Sequence, residues 1–517
     1  MTPVNRKGGD VNNRKTLLLN SFALYGRTLI LMFVTLYTSR MALNSLGVSD
    51  FGLYSLVSSV IFLFAFIQNV FSLSTQRFLT VEVAKESEQF EKRFASIIIM
   101  YLGICILVFF LAETVGLWFV LSQVNSSTVS TNDIFLLYQF TIITLLFQIM
   151  QTPLMGYFLA TEKMSFFAKV GVFDAFQRWL MVFIFSSFDF QNKVVSYSCL
   201  VLIGFVFVFI VYVYFCSKYV RLYRGFFSRD IDLVFLKEVL LFSRWPLLGA
   251  FSIVSVSQSI AFLAYYFVGL VANASIWLAE QVLSAFNRVT GALQMAFAPK
   301  IIKSGSLGHY DEMNCLIFLS CKLTAFASIL SGVPVFVFAD FVSTVWLGDV
   351  PDYLPGFIRI VIVYAFIDSL SNPFVTAIYT KGELKRYQLV ISLILGFSVL
   401  LMTALFFLHY SIYFVLFIRA LCVLILLVLR VLWTQSIFPL CNLNVFLVKL
   451  LPRFLIVAII SVLTCLYIKD KIPYGYFSLL MVSFFNLFFV AIMFFFIVFD
   501  SDDRASFLKL LRKLKYS

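Results

Sequence analysis

The sequence predicts an all-α, polytopic membrane protein, and three observations carry that prediction: its composition, the length of its apolar blocks and the distribution of its basic residues. Of 517 residues, 62% are hydrophobic and 13% charged, against roughly 25% charged in soluble domains. Sixty-four are Phe and the mean hydropathy is +0.98, which leaves too little polar surface to coat a soluble globule of this size. The apolar residues run in blocks such as Ala95–Leu111, Val194–Cys216 and Tyr476–Phe499. Blocks of this length match the roughly 20 residues needed to cross about 30 Å of hydrocarbon, where helices satisfy their own backbone.

Apolar runs and breakers give about fourteen spans. They cover 16–38, 52–74, 94–113, 133–159, 166–187, 194–216, 243–268, 276–298, 313–338, 357–380, 387–408, 411–433, 449–468 and 476–499. With the N-terminus inside, the cytoplasmic segments hold 29 Lys and Arg, while the opposite side holds four: Arg40, Lys193, Lys469 and Lys471. The positive-inside rule then puts both termini in the cytoplasm. The net charge of +13 reads as a topology signal and needs no nucleic-acid partner. Asp230–Phe242 and Ala505–Tyr516 alternate apolar and basic residues at helical spacing, which suits helices lying on the membrane surface. No cleavable signal is expected, since the helix after the basic residues 1–15 carries Asn20 and Arg27 and lacks a small-residue cleavage site.

The chain reads as two parallel copies of six spans. Pro153-LMGYFLAT-Glu162-Lys163 parallels Pro373-FVTAIYTKG-Glu383-Leu384-Lys385, at an offset of 220 residues, and Gln76-Arg77 parallels Pro299-Lys300 at 223. This divides the chain into an N-lobe over 1–220, a C-lobe over 221–440, and spans 13 and 14 with a basic tail over 441–517. Parallel-repeat transporters place substrate near the midplane between halves. The eight cysteines (105, 199, 216, 315, 321, 422, 441 and 465) form no CxxC pair, and the two histidines are His309 and His409. Neither a zinc site nor a disulfide framework is expected.

Lys169, Arg244, Arg430, Lys449 and Arg453, at span ends, are counted with the cytoplasmic segments, and six other basic residues fall within spans: Arg27, Arg178, Arg288, Lys322, Arg359 and Arg419. Each costs about 2.5–3.5 kcal/mol at a helix centre, so it should line water, pair or snorkel. Arg359 sits at a span edge and is expected to snorkel. Arg178 lies one turn from Asp174 and is expected to pair with it. Arg27 and Arg288 have no acidic residue one turn away on their own helix, and each joins a polar stripe. Asn20, Arg27, Thr28, Thr35 and Thr38 share a face of span 1; Glu280, Ser284, Asn287, Gly291 and Gln294 share one on span 8, with Gln281 and Arg288 beside them. Span 10 adds Tyr364, Asp368, Ser371 and Asn372, and span 7 adds Ser252, Ser255, Gln258 and Ser259. Polar faces on four spans predict a shared wet interior, and its mostly cationic charge predicts an anionic substrate held by guanidinium groups. A lipid diphosphate, a nucleotide or an organic acid would each fit.

The sequence resembles the Wzx-type polysaccharide flippases of the multidrug/oligosaccharidyl-lipid/polysaccharide exporter superfamily. The resemblance is carried by Asn20 and Arg27 ahead of "LGVSDFGLYSLV" (Leu46–Val57), and by "ATEKMSFF" (160–167), "LLFSRWPLLGAF" (240–251) and "FAPKIIKSGSLGHYDEM" (297–313). It extends over essentially the whole chain and the number of spans. It implies two six-helix lobes meeting in a V, as in the MATE transporters, plus two C-terminal helices. It also implies a bacterial inner-membrane flippase that moves an undecaprenyl-diphosphate-linked oligosaccharide, of O-antigen, capsule or exopolysaccharide, from the cytoplasmic to the periplasmic leaflet. Glycan polymerase and assembly proteins would be its protein partners. Arg27 and Arg288 are carried over as cavity residues; Lys322 and Arg419 match no fixed motif. The expected substrate-contacting set is Arg27, Arg288, Lys322, Arg419, Asn20, Asn287, Gln294 and Asp368.

No Walker A loop and no supported nucleophile are present, so neither an enzyme nor a cofactor is expected. A multidrug exporter of the same superfamily is the main alternative, left open by Asp174 and Asp368 but opposed by the cationic balance. A membrane-embedded glycan polymerase or ligase fits less well, because the longest outer loops, 114–132 and 339–356, are short.

Overall fold

The computed structural model describes residues 30–84, 89–124, 129–161, 163–219, 231–381, 384–438, 445–473, 475–500 and 504. Every regular element among them is helical. Among the described residues ten helices are long and apolar enough to cross a membrane, and they coincide with the third, fourth, sixth, seventh and ninth to fourteenth expected spans. The second expected span is divided between two shorter helices, and the fifth and eighth are helices that carry charges. The first begins outside the described residues. The protein is therefore a multi-pass, all-helical membrane protein. Its chain forms two compact units, Met1–Ala274 and Ser275–Ser517.

In the first unit, helix α1 (30–46) ends at Gly47, whose φ of +83° is a left-handed conformation that suits glycine. It is followed by α2 (Val48–Phe62), α3 (Ala65–Ala84) and α4 (Phe90–Leu111). A π-helical turn, Ala112–Gly116, leads into α5 (Leu117–Gln123). Then come α6 (Thr131–Ala160), α7 (Met164–Ser187), α8 (Lys193–Tyr219) and α9 (Leu233–Phe267). The next helix, α10 (Leu270–Ser306), starts in this unit and continues in the second. Side chains start two of these helices: Ser130 Oγ accepts the Asp133 N–H at 3.2 Å, and Asp232 accepts the Phe235 N–H at 3.0 Å, satisfying donors that a helix start leaves open.

Helix α6 is the hub of this unit and packs on α3, α4 and α8, while α9 packs on α2, α3 and α4. Lipid removes the hydrophobic drive between helices, so close backbone approach and interhelical hydrogen bonds hold such a bundle. Gly52 shows both. A Cβ there would run into the Leu270 carbonyl oxygen, and Asn273 Nδ2 donates to Gly52 O at 3.0 Å and to Ser55 Oγ at 2.8 Å. The glycines of the "LGVSDFG" phrase thus have separate jobs: Gly47 turns the chain and Gly52 lets α2 touch the start of α10.

The second unit contains the rest of α10, α11 (Tyr310–Val337), α12 (Ala339–Leu347), α13 (Leu354–Lys381), α14 (Leu384–Phe407) and α15 (Ile412–Ile437). A π-helical turn, Phe446–Leu450, opens α16 (Leu451–Lys469), and another, Phe494–Val498, closes α17 (Tyr476–Met493). Helix α13 packs chiefly on α15 and α11. The core is aromatic, with Phe374 against Phe446 at 4.9 Å and Phe454 against Phe494 at 6.3 Å between ring centroids.

Polar contacts fasten α16 and α17 to α11 at three places. Asn486 Nδ2 donates to the carbonyls of Ile329 and Leu330 while its Oδ1 accepts from Ser461. Lys469 Nζ donates to Val337 O at 3.1 Å, and Lys322 Nζ lies 2.7 Å from Asp500, which Arg453 also approaches at 3.4 Å. Partial burial opposes ionisation of Asp500, but the Lys322 hydrogen bond and the two positive charges outweigh it and hold its carboxyl below the usual range.

Candidate functional site

Three helices of the second unit, α10, α13 and α15, bring a set of charged and amide side chains together. Helix α15 carries Arg419 and Arg430, eleven residues apart. Eleven residues is close to three turns, which puts both on one face about 16 Å apart along the axis. Glu280 of α10 meets Arg419 at 2.5 Å, and the Arg419 guanidinium lies over the Tyr364 ring, 4.3 Å from its centroid. One turn further along α13, Asp368 meets Arg430 at 3.3 Å, and the same guanidinium donates to the Ser371 hydroxyl. Gln294 Nε2 donates to Ser369 O at 2.8 Å, and Asn372 Nδ2 donates to Gln294 Oε1 at 2.9 Å.

The two ion pairs share an asymmetry. The side chains of Arg419 and Arg430 are 12% and 10% exposed, and those of Glu280 and Asp368 are 29% and 39% exposed. In each pair the guanidinium is the inner partner and the carboxylate the outer one. Unpaired, such buried arginines would be costly; paired, they are compensated without being sealed off.

Of the expected contact residues, the structure gathers Arg419, Asp368 and Gln294 into this group. Asn287 is exposed and Arg288 half-buried on α10. Lys322 is turned elsewhere, buried against Asp500 at the end of the last span. Asn20 and Arg27 lie outside the described residues. Arg430, at the end of span 12 and counted with the cytoplasmic residues, lies inside α15 and is 8% exposed.

Several of the intramembrane cations have acidic partners. Arg178 does meet Asp174 at 3.0 Å, as its spacing predicts, and its guanidinium also stacks over Phe205. Arg359, at its span edge, pairs with Asp340. Arg419 has its acidic partner on another helix and Lys322 has one just beyond the last helix. A scan one turn along each helix cannot find Glu280, which is 139 residues from Arg419. The polar stripes on spans 1 and 7 likewise satisfy part of themselves. Thr35 donates to Leu31 O at 2.6 Å, Thr38 to Val34 O at 2.8 Å and Ser252 to Leu248 O at 2.9 Å. Hydroxyls bonded back to their own helix do not demand water.

No family model and no curated protein matches the sequence. Solved structures do. The lipid II flippase MurJ, in an inward-closed conformation, aligns over 92% of this chain and 99% of its own, with a TM-score of 0.64 and 15% identity. An inward-facing multidrug resistance MATE family transporter of the MOP superfamily aligns over 81% of this chain and 99% of its own, with a TM-score of 0.64 and 13% identity. A variant of the Vibrio cholerae MATE transporter VcmN aligns over 83% and 98%, with a TM-score of 0.58 and 17% identity. The chain has the fold shared by these transporters.

Proposed function

We propose that this protein is a flippase that carries an undecaprenyl-diphosphate-linked oligosaccharide, the repeat unit of an O-antigen, capsule or exopolysaccharide, from the cytoplasmic to the periplasmic leaflet of a bacterial inner membrane. The reading rests most on one observation: Arg419 and Arg430, both largely buried, lie within a spanning helix of a chain folded like the lipid II flippase MurJ. Guanidinium groups in a low-dielectric site suit a diphosphate through paired hydrogen bonds. We place both termini in the cytoplasm and assign Arg27, Arg288, Asn20 and Asn287 to the substrate path with the charged group on α10, α13 and α15. Substrate moves by alternating access, with the prenyl tail remaining in lipid.

Deleting the gene and analysing lipid-linked glycans by leaflet tests this reading. Accumulation of one lipid-linked oligosaccharide on the cytoplasmic leaflet is the expected result, reversed by supplying the gene again. Normal delivery of every surface glycan would reject it.

A multidrug exporter is the second reading, favoured by Glu280 and Asp368, the more exposed members of the two pairs, and by the MATE-like fold. Efflux of cationic dyes from cells with and without the gene separates the two.

A further inference from the structure

The outward position of both carboxylates has a mechanistic meaning beyond charge balance. We infer that Glu280 and Asp368 are resident counter-anions, and that a phosphate group of the substrate displaces them from Arg419 and Arg430 at two successive stations along α15. This rests on the flippase reading above and names how its site is emptied and filled.

Four observations support it. Both arginines come from one face of one helix, three turns apart, and each meets its own carboxylate, so the two pairs can be occupied in turn. Each arginine is the buried partner of its pair and each carboxylate the exposed one, at 12% against 29% and 10% against 39%. The more exposed carboxylate is the partner that can swing away, whereas the arginine stays fixed. The arginines are held independently of the carboxylates, Arg419 by the Tyr364 ring and Arg430 by the Ser371 hydroxyl. Finally, a carboxylate and a phosphate engage guanidinium in the same paired geometry, so one is a direct substitute for the other.

The arrangement solves a problem that any carrier of anions inside a membrane faces. Bare guanidinium groups would be costly whenever the site stands empty, yet permanently neutralised ones would bind nothing. A tethered carboxylate compensates the empty site and yields to a ligand bearing more negative charge. Affinity is then set by the difference between the two anions, which leaves the substrate bound weakly enough to depart. No covalent bond forms or breaks; one ion pair replaces another.

The test is equilibrium binding to the full-length protein in lipid nanodiscs of fixed composition, with farnesyl diphosphate as probe. Farnesol and inorganic pyrophosphate serve as controls that separate the prenyl from the diphosphate contribution. Glu280→Gln and Asp368→Asn each remove a competitor while keeping the shape, and each should tighten farnesyl diphosphate binding by about fivefold or more, the lower range of intramolecular coupling. Farnesol binding should not change. Adding Arg419→Ala to the first and Arg430→Ala to the second should abolish each gain.

Unchanged or weaker binding by both carboxamide variants, in protein that remains monodisperse, overturns the inference. Tightening at one pair alone overturns the second station. If Glu280→Gln fails to fold, Glu280→Asp decides for that pair, since a shorter arm loosens the contact and should tighten binding by a smaller factor. The two readings fail separately. Cells lacking the gene that deliver every glycan normally refute the flippase, while a wild-type chain that restores delivery with carboxamide variants that bind no tighter refutes only the exchange.

Discussion

Asp368 on α13 and Arg430 on α15 meet at 3.3 Å across 62 residues of sequence, with the arginine 10% and the aspartate 39% exposed at the side chain. The pair ties together two helices that make one of the main contacts of the second unit. Removing Asp368 would strand a charge that is nearly buried.

Asp368→Ala is therefore expected to lower stability by about 3 kcal/mol or less, since the Ser371 hydroxyl still accepts from the stranded guanidinium and takes up part of the cost. An Asp368→Leu, Arg430→Met double variant should lose less than the sum of the single losses, because neither charge is left alone. Thermal unfolding in detergent, read through intrinsic fluorescence, checks both. Additive losses would mean that the two groups do not interact.

A second expectation concerns Gly52. A methyl group there would press on the Leu270 carbonyl oxygen, which is backbone and cannot rotate away, and would disturb the Asn273 bonds to Gly52 and Ser55. Gly52→Ala should lower both membrane abundance and melting temperature. Gly103→Ala is the control: nothing lies within 4 Å of its added Cβ, and alanine suits a helix interior better than glycine. Equal behaviour of the two variants would remove the close-approach argument.

These cases show what was legible in the sequence. Span positions were readable because lipid demands long apolar helices, and the Asp174–Arg178 pair because both partners share one helix turn. The "LGVSDFG" phrase marked a turn and a close approach whose partner, Leu270, no local reading could supply. Arg430 stands near the end of its span, where a basic residue reads as cytoplasmic, and the partners of Arg430 and Glu280 lie on other helices, 62 and 139 residues away. Hydroxyls such as Thr35 and Ser252 donate to their own backbone, a use that a polar stripe in the sequence does not distinguish from facing water.

The Asp174–Arg178 contact, at 3.0 Å on one helix, with Gln177 also donating to Asp174, has the geometry of a structural pair. Exchanging the two residues should retain much of the transport, whereas neutralising either alone should reduce the amount of protein in the membrane. Glycan delivery and membrane abundance, measured together, decide this. Normal abundance with lost delivery in a single neutralisation would assign the pair to the mechanism instead.

The last expectation concerns Arg93, which holds three elements of the first unit at one end. Its guanidinium meets Glu82 of α3 at 2.5 Å and Asp232, the cap of α9, at 3.3 Å, and it lies over the Phe235 ring. Glu82 is 3% exposed, and its second carboxylate oxygen has no hydrogen-bond partner. Arg93→Ala would leave that carboxylate buried and uncompensated, a loss of about 3–5 kcal/mol. Asp232→Asn should cost far less, on the order of 1 kcal/mol, because asparagine caps a helix nearly as well as aspartate. The two variants should also differ in acid. The Phe235 N–H, and after it the Arg93 hydrogen bond and charge, hold the Asp232 carboxyl below the usual range despite partial burial. A carboxylate whose pKa is depressed on folding contributes fully above its unfolded value, about 3.9, and loses that contribution as pH falls through the folded value. Asp232→Asn should thus narrow its deficit relative to wild type below about pH 4, while at neutral pH the deficit stays constant. Melting temperatures of the wild type and both variants, followed from pH 7 down to pH 3, give the comparison. A deficit for Asp232→Asn as large as that of Arg93→Ala would show that the clasp depends on Asp232 and not on the buried Glu82.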